Sequence, residues 1–158
     1  MEKEKPNFDL VTINPAFVFG PPPKHLTSLD TLNTSNHRIR DMILGKMQKK
    51  AEPTGPAHLF VDVRDVATAH IRALETAKAS GQRFMIAGGY FSNKRIAELI
   101  RKSFPQYGDV LPPIDSEDDF PEKIYGIDTS KSKNVLGIQY RGLETCVKDT
   151  VEAMSLKV

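Results

Sequence analysis

The 158-residue chain has no tryptophan and one cysteine, Cys146, so an internal disulfide framework is excluded and a reducing compartment fits. No apolar run approaches the roughly 20 residues that span a bilayer. The opening MEKEKPNFD is charged and lacks the apolar centre of a signal peptide. An excess of one charge is missing too. The 22 basic and 20 acidic residues leave a net charge of +2, which gives no electrostatic reason to expect nucleic acid or an anionic membrane as partner. Solenoid-length repeats and low-complexity tracts are also lacking. With 39% apolar and 27% charged residues, the composition is that of one globular domain with a real core, expected to be cytoplasmic.

Several chemistries are excluded in the same way. The chain has no GxxxxGK[ST] phosphate loop and no GxSxG nucleophile elbow. Gly88-Gly89 sits between a strand and a helix, but Tyr90 to Lys94 supply no third glycine, so it reads as a tight turn rather than a dinucleotide fingerprint. His25, His37, His58 and His70 have no histidine or cysteine three or four residues on, so no metal site is expected. The acidic DSEDDF at 115–120 lacks the central glycine and alternating oxygens of a calcium loop. Cys146 adjoins an apolar helical stripe and reads as inert packing.

What is present is an alternation of strands and helices, hence an α/β fold with parallel pairing. Phe8 to Ile13 reads as a buried strand, followed by a proline- and threonine-rich loop over 20–34. Thr34 or Ser35 can cap a helix reaching about Lys49, with Ile39, Met42, Ile43 and Met47 inward. His58–Val61 is a short strand. Asp62 or Asp65 then caps a helix whose apolar face holds Val66, Ala69, Ala73 and Leu74, with His70 as a core residue. Residues 83–87 form a further strand, and Ser92 caps a helix ending at Pro105. A long proline-bearing acidic loop covers 105–126. Asp128 or Thr129 caps a short helix to Leu136-Gly137, Ile138–Tyr140 is a small strand, and 142–156 is a final helix. Only three convincing strands appear, too few to cover a parallel sheet's edges, so the chain reads as the second half of something.

One segment stands apart. In FDLVTINPAFVFGPPP, Asn14-Pro15 stops the ladder, yet Ala16, Phe17, Val18 and Phe19 remain apolar before Gly20 and three prolines. One reading is a broken loop that covers the core. The other is a pocket wall beyond a strand's carboxyl end, where parallel α/β sheets hold ligands. On that reading Pro15 stiffens the backbone, Val18 offers its amide and carbonyl, and Phe17 or Phe19 walls a flat ring.

Four blocks bear on the choice: INPAFVFGP at 13–21, LFVDVRDVATAHIRALE at 59–75, GQRFMIAGGYFSNKRIAELIRKSFP at 81–105 and DTSKSKNVLG at 128–137. In this order they resemble the carboxyl-terminal half of the extended short-chain dehydrogenases, the group that includes NAD-dependent epimerases and dehydratases. The branch they are most similar to is the dihydroflavonol-reductase-like NADPH-dependent aldehyde, ketone and methylglyoxal reductases of fungi and plants. The resemblance implies the later part of a Rossmann-type fold, with a few parallel strands, flanking helices and substrate-domain segments. It also implies that residues 1–158 are the substrate-binding, nicotinamide-side part, with the dinucleotide-binding half absent.

The implied roles follow residue by residue. Val18 bonds the nicotinamide carboxamide through its backbone, Pro15 packs near that ring, and Ser35 reaches the cofactor's phosphate side. Phe17, Gly20 and Pro21 border the carbonyl substrate. Asp62, Arg64 and Asp65 match a block read as structural, an N-cap and an ion pair that orient a helix. The family's glycine-rich fingerprint, catalytic serine and Tyr-x-x-x-Lys pair find no counterpart, so no catalytic residue is assigned here. Tyr90 and Lys94 meet the tyrosine–lysine spacing, but in a later strand–turn–helix block, where the match is a coincidence. The implied function is part of an NADPH-dependent carbonyl reductase acting on a small carbonyl compound, inactive alone. The alternative is a non-catalytic truncated paralogue that binds a partner or self-associates through the edge a missing half would cover.

Overall fold

The computed structural model describes residues 7–156. Strand β1 (Thr12–Pro15) runs parallel to β4 (Arg83–Ile86), while β2 (Phe17–Phe19) runs parallel to β3 (Leu59–Asp62). Only Ala16 separates β1 from β2, so 12–19 is one extended stretch that changes partner midway. The expectation that Asn14-Pro15 ends the ladder is therefore corrected. Thr12 N and Ala16 N both donate toward β4, to Gln82 O at 2.9 Å and Ile86 O at 3.0 Å. Amides point alternately to either side of a strand, so position 15 faces the outer edge, where a missing N–H costs no bond. Phe8 to Leu10, read as part of this strand, lie outside it and are exposed.

The same alternation explains the apolar run. Phe17 and Phe19 pack into one core with Phe60, Phe91, Ile39, Met42, Ile96, Ile100, Val147, Val151 and Met154, while Ala16 and Val18 pack against a second core with Val61, Ala69, Phe84, Ile86, Leu136 and Ile138. β3 behaves likewise, with Phe60 in the first core and Val61 in the second. Because apolar contacts lie on both faces, these strands read as continuous apolar runs.

The helices follow the sequence with some shortening. Helix α1 spans His37–Ile43, preceded by a 3₁₀ turn at Thr34–Asn36, and does not reach Lys49. Gly45, at φ +75°, turns the chain, and Met47 is buried from beyond the helix end. Helices α2 (Val63–Glu75) and α3 (Asn93–Ser103) are capped by Asp62 and Ser92. In α4 (Ser130–Leu136) the first amide bonds Asp128 Oδ1 at 2.8 Å, and Gly137 ends it in the left-handed conformation. Helix α5 (Leu143–Ser155) buries Val147, Val151 and Met154 as its stripe requires.

Three further readings are corrected. Ile138–Tyr140 is not a strand; Ile138 is buried from a loop. A short strand missed in the sequence, β5 (Gly89–Tyr90), pairs antiparallel with β3. His70 is exposed, its Nδ1 2.8 Å from Val66 O, because α2 rests on the sheet only through Val66, Ala69 and Ala73. Leu74 on the same side is 91% exposed.

Asp62 is fully buried, and it ties three elements together. It caps α2 by accepting from Arg64 N at 2.8 Å, and it pairs with the Arg64 guanidinium at 2.6 Å; the same guanidinium reaches Asp149 on α5 at 2.6 Å. Asp65 accepts from Arg141 N at 2.8 Å and pairs with its guanidinium. Burial pushes the Asp62 carboxyl up, but the Arg64 guanidinium and amide outweigh it and hold the group below its ordinary 3.8. Cys146, buried beside this carboxylate, has its thiol pushed up by burial and by the Asp62 charge, which makes it inert.

Replacing Arg64 by alanine leaves a buried carboxylate unpaired and is expected to cost about 3 kcal/mol at neutral pH. A depressed native carboxyl stabilises above its unfolded value and loses that contribution as pH falls below 3.8. In Arg64→Ala the carboxyl rises instead, so protonation relieves the penalty. The stability gap, read from urea midpoints, should narrow as pH falls toward 4.

Candidate functional site

The stretch after Asn14 borders two cavities. The first, about 400 Å³, is lined by Pro15, Ala16, Phe17, Ser35, Ala57, Leu59, Met85 and Tyr125. The second, about 550 Å³, is lined by Val18, Gly20, Pro21, Pro22, Pro23, Leu26, the segment 31–36 and Val63. Ser35 belongs to both. The structure thus gathers all six residues singled out in the sequence, Pro15, Phe17, Val18, Gly20, Pro21 and Ser35, around one bent strand. The expected division of roles does not follow the cavities: Pro15 and Phe17 border the first, and Val18, Gly20 and Pro21 the second.

Local chemistry shapes each wall. Phe17 stands edge-on to Phe91, with centroids 5.8 Å apart, and the Arg38 guanidinium lies 5.4 Å from its centroid. Arg38 is itself held by Thr54 O at 2.9 Å and Asn93 Oδ1 at 3.2 Å. Gly20 adopts φ +135°, and a Cβ there would lie 2.6 Å from Val63 Cγ1. Only glycine lets the chain turn against the start of α2.

Two residues missed in the sequence organise the second cavity. Asn33 Nδ2 donates to Val18 O at 2.9 Å, and Asn36 Nδ2 donates to Gly20 O at 2.9 Å. One lone pair of the Val18 carbonyl is therefore already engaged by protein. Asn36 is buried, and its Oδ1 has no hydrogen-bond partner. Both asparagines flank the Thr34–Ser35 pair that reads as a helix cap, and their long-range bonds leave no mark in local spacing. Tyr125 was also missed, because it lies in the proline-bearing loop with no periodicity around it.

Among the described residues, no Asp, Glu, Lys, Arg, His or Cys lines either cavity. The walls suit a neutral, flat, largely apolar group with a few hydrogen bonds at its rim. Tyr90 and Lys94 do not form a catalytic pair. The Tyr90 hydroxyl donates to Tyr125 O at 2.7 Å, while Lys94 borders a separate surface cleft with Lys50 and Glu117. Among the described residues no cluster of His, Cys, Asp or Glu is arranged to hold a metal ion, and no helix is long and apolar enough to cross a membrane.

In sequence and fold the chain is similar to known reductases. A ketoreductase of Aspergillus niger, azaE, is 58% identical over 154 residues, covering 98% of this chain and 46% of its own length. The crystal structure of Gre2 from Candida albicans superposes with a TM-score of 0.83 at 35% identity, over 98% of this chain and 46% of that one. Its NADPH complex gives 0.80 at 36% identity. Yeast methylglyoxal/isovaleraldehyde reductase Gre2, complexed with NADPH, shares the fold with a TM-score of 0.83 at 24% identity. No family model matches the chain. By sequence and architecture the chain is homologous to Rossmann-type reductases of the extended short-chain dehydrogenase fold. Within that fold its relatives are ketoreductases and the NADPH-dependent methylglyoxal reductase Gre2, matched over roughly their carboxyl-terminal half. The chain spans a little under half the length of these relatives.

Gly20→Ala should destabilise the protein by roughly 1–3 kcal/mol in chemical denaturation, through strain and the clash with Val63. Gly126→Ala, where nothing lies within 4 Å of an added Cβ, should change stability by less than about 0.5 kcal/mol.

Proposed function

We propose that this chain supplies the nicotinamide-side wall and the substrate cavity of an NADPH-dependent aldehyde or ketone reductase. The observation that carries this reading is the convergence of Pro15, Phe17, Val18, Gly20, Pro21 and Ser35 on two adjoining uncharged cavities beside one parallel strand. Ketoreductase azaE and the NADPH complex of Gre2 support it, since both align with nearly the whole chain.

The walls fit a nicotinamide. They are largely apolar and uncharged, and the buried Asn36 Oδ1 is an acceptor without a donor on the side that Val18 borders. Bound there, NADPH supplies the hydride for a carbonyl carbon. The protein's part is positional. Val18, Gly20 and Pro21 border the second cavity, where the ring would lie against a stiff strand, and Ser35, shared by both cavities, would hydrogen-bond toward the cofactor's phosphate side. Pro15 and Phe17 border the first cavity, where the carbonyl compound would lie. Neither cavity offers a tyrosine with a lysine one helical turn on, so the chain by itself orients reactants without donating the proton.

A second reading rests on a different observation. Among the described residues β1 pairs only with β4, and the exposed Leu10 and Leu74 line a cleft with Ile13 of β1. Unpaired edges with apolar neighbours invite another chain. This supports docking or self-association through the β1 edge, as a non-catalytic partner.

Fluorescence titration with NADPH and an NADPH-oxidation assay with aldehydes and ketones test the first reading. Cofactor binding with little turnover is expected; efficient turnover by the chain alone would overturn the division of labour. Light scattering tests the second, for which a monomeric mass at every concentration is the contrary result.

A further inference from the structure

The long loop after α3 has neither helix nor strand between Leu111 and Thr129, yet its 119–125 segment is pinned at three points. The Asp119 carboxylate accepts from Thr54 N at 2.5 Å and from Thr54 Oγ1 at 2.6 Å. Thr54 is buried, and its hydroxyl oxygen also accepts from Asn93 N at 2.9 Å, so this latch is anchored in the first turn of α3. Next along the chain, the Phe120 ring sits beside His58 and Tyr90, with centroids at 5.4 and 6.1 Å, under the Arg95 guanidinium at 4.0 Å. Finally, Tyr90 Oη donates to the Tyr125 carbonyl at 2.7 Å. The segment is thereby held at Asp119, Phe120 and Tyr125, and the Tyr125 side chain is set on the wall of the first cavity while remaining 50% exposed.

The two aromatic walls of that cavity differ in kind. Phe17 is rigid, backed by Phe91 and Arg38. Tyr125 is carried by a loop whose position depends on a latch and one partly buried ring, Phe120. The remaining lining is apolar apart from Ser35. Aromatic rings pair edge-on or offset with centroids about 4.5–7 Å apart, so two such walls favour a flat group over a small round one.

We infer that Tyr125, positioned by the Asp119–Thr54 latch and the Tyr90 hydroxyl, is a specificity-determining residue that selects carbonyl compounds bearing a flat apolar substituent. The inference rests on the reductase reading for the word carbonyl. The cavity's preference for a flat apolar group rests on the lining alone. Asp119 and Tyr90 are positioning residues, acting through Tyr125.

The test is ligand-observed NMR titration of the full chain with acetophenone and with acetone, alongside NADPH titration by fluorescence. Acetophenone should bind more tightly than acetone. Tyr125→Ala should weaken acetophenone about tenfold, and leave acetone and NADPH unchanged. Tyr125→Phe should retain acetophenone binding, and Asp119→Ala and Tyr90→Phe should each weaken it severalfold, with thermal melts reporting that the variants are folded. Failure of acetophenone to bind the parent chain, or equal binding by Tyr125→Ala, overturns the inference. Tyr125-dependent acetophenone binding without any NADPH binding supports this inference and removes the reductase reading.

Discussion

Everything in this molecule leans on the extended stretch 12–19 and on the alternation of its side chains. One face sends Phe17 and Phe19 into the core built with α1, α3 and α5; the other sends Ala16 and Val18 toward the core built with α2 and α4. A strand that serves two cores cannot slip by one residue, since the slip would exchange its phenylalanines with its smaller side chains. The partner change at Ala16 follows from the same geometry. The first half of the stretch bonds β4 and the second half bonds β3, and Pro15 sits at the joint with its absent N–H toward the outer edge.

The cavities are a consequence of that change of partner. Where one strand leaves β4 for β3, the cavities are lined by strand residues such as Leu59 and Met85 together with loops: the asparagine-bearing turn before α1 and the acidic loop that carries Tyr125. Polar ties hold both loops. Asn33 and Asn36 bond strand carbonyls, and Asp119 bonds Thr54. The scaffold beneath is held by the buried Asp62 with Arg64, which joins β3, α2 and α5. A rigid floor with loop-borne walls is the usual arrangement by which one fold accommodates different small molecules.

The comparisons sharpen the physical picture. Relatives that include a ketoreductase and Gre2 align with nearly all of this chain, while the chain matches a little under half of each of them. The two adjoining cavities are bordered by one strand, and their described lining is uncharged. Among the described residues β1 is paired only with β4.

Much was legible in the order of residues. Caps at Asp62 and Ser92, the stripe Val147–Val151–Met154 and the turn at Gly137 all depend on near neighbours, and local physics suffices for them. Other features depend on partners far along the chain. Pro15 could be read as a strand breaker because nothing nearby tells which edge its nitrogen faces; pairing with β4, some 70 residues on, decides it. His70 matched a helical apolar face, but only the placement of α2 on the sheet shows that this row meets solvent. Asn36, Thr54 and Tyr125 owe their roles to contacts with Gly20, Asp119 and Tyr90. The sequence by itself determined most of the elements, the family likeness and the apolar stretch that borders the two cavities. The tertiary structure alone decided which edge is open, which loops wall the cavities and which polar atoms hold them, because hydrogen bonds across long separations are set by packing and not by periodicity.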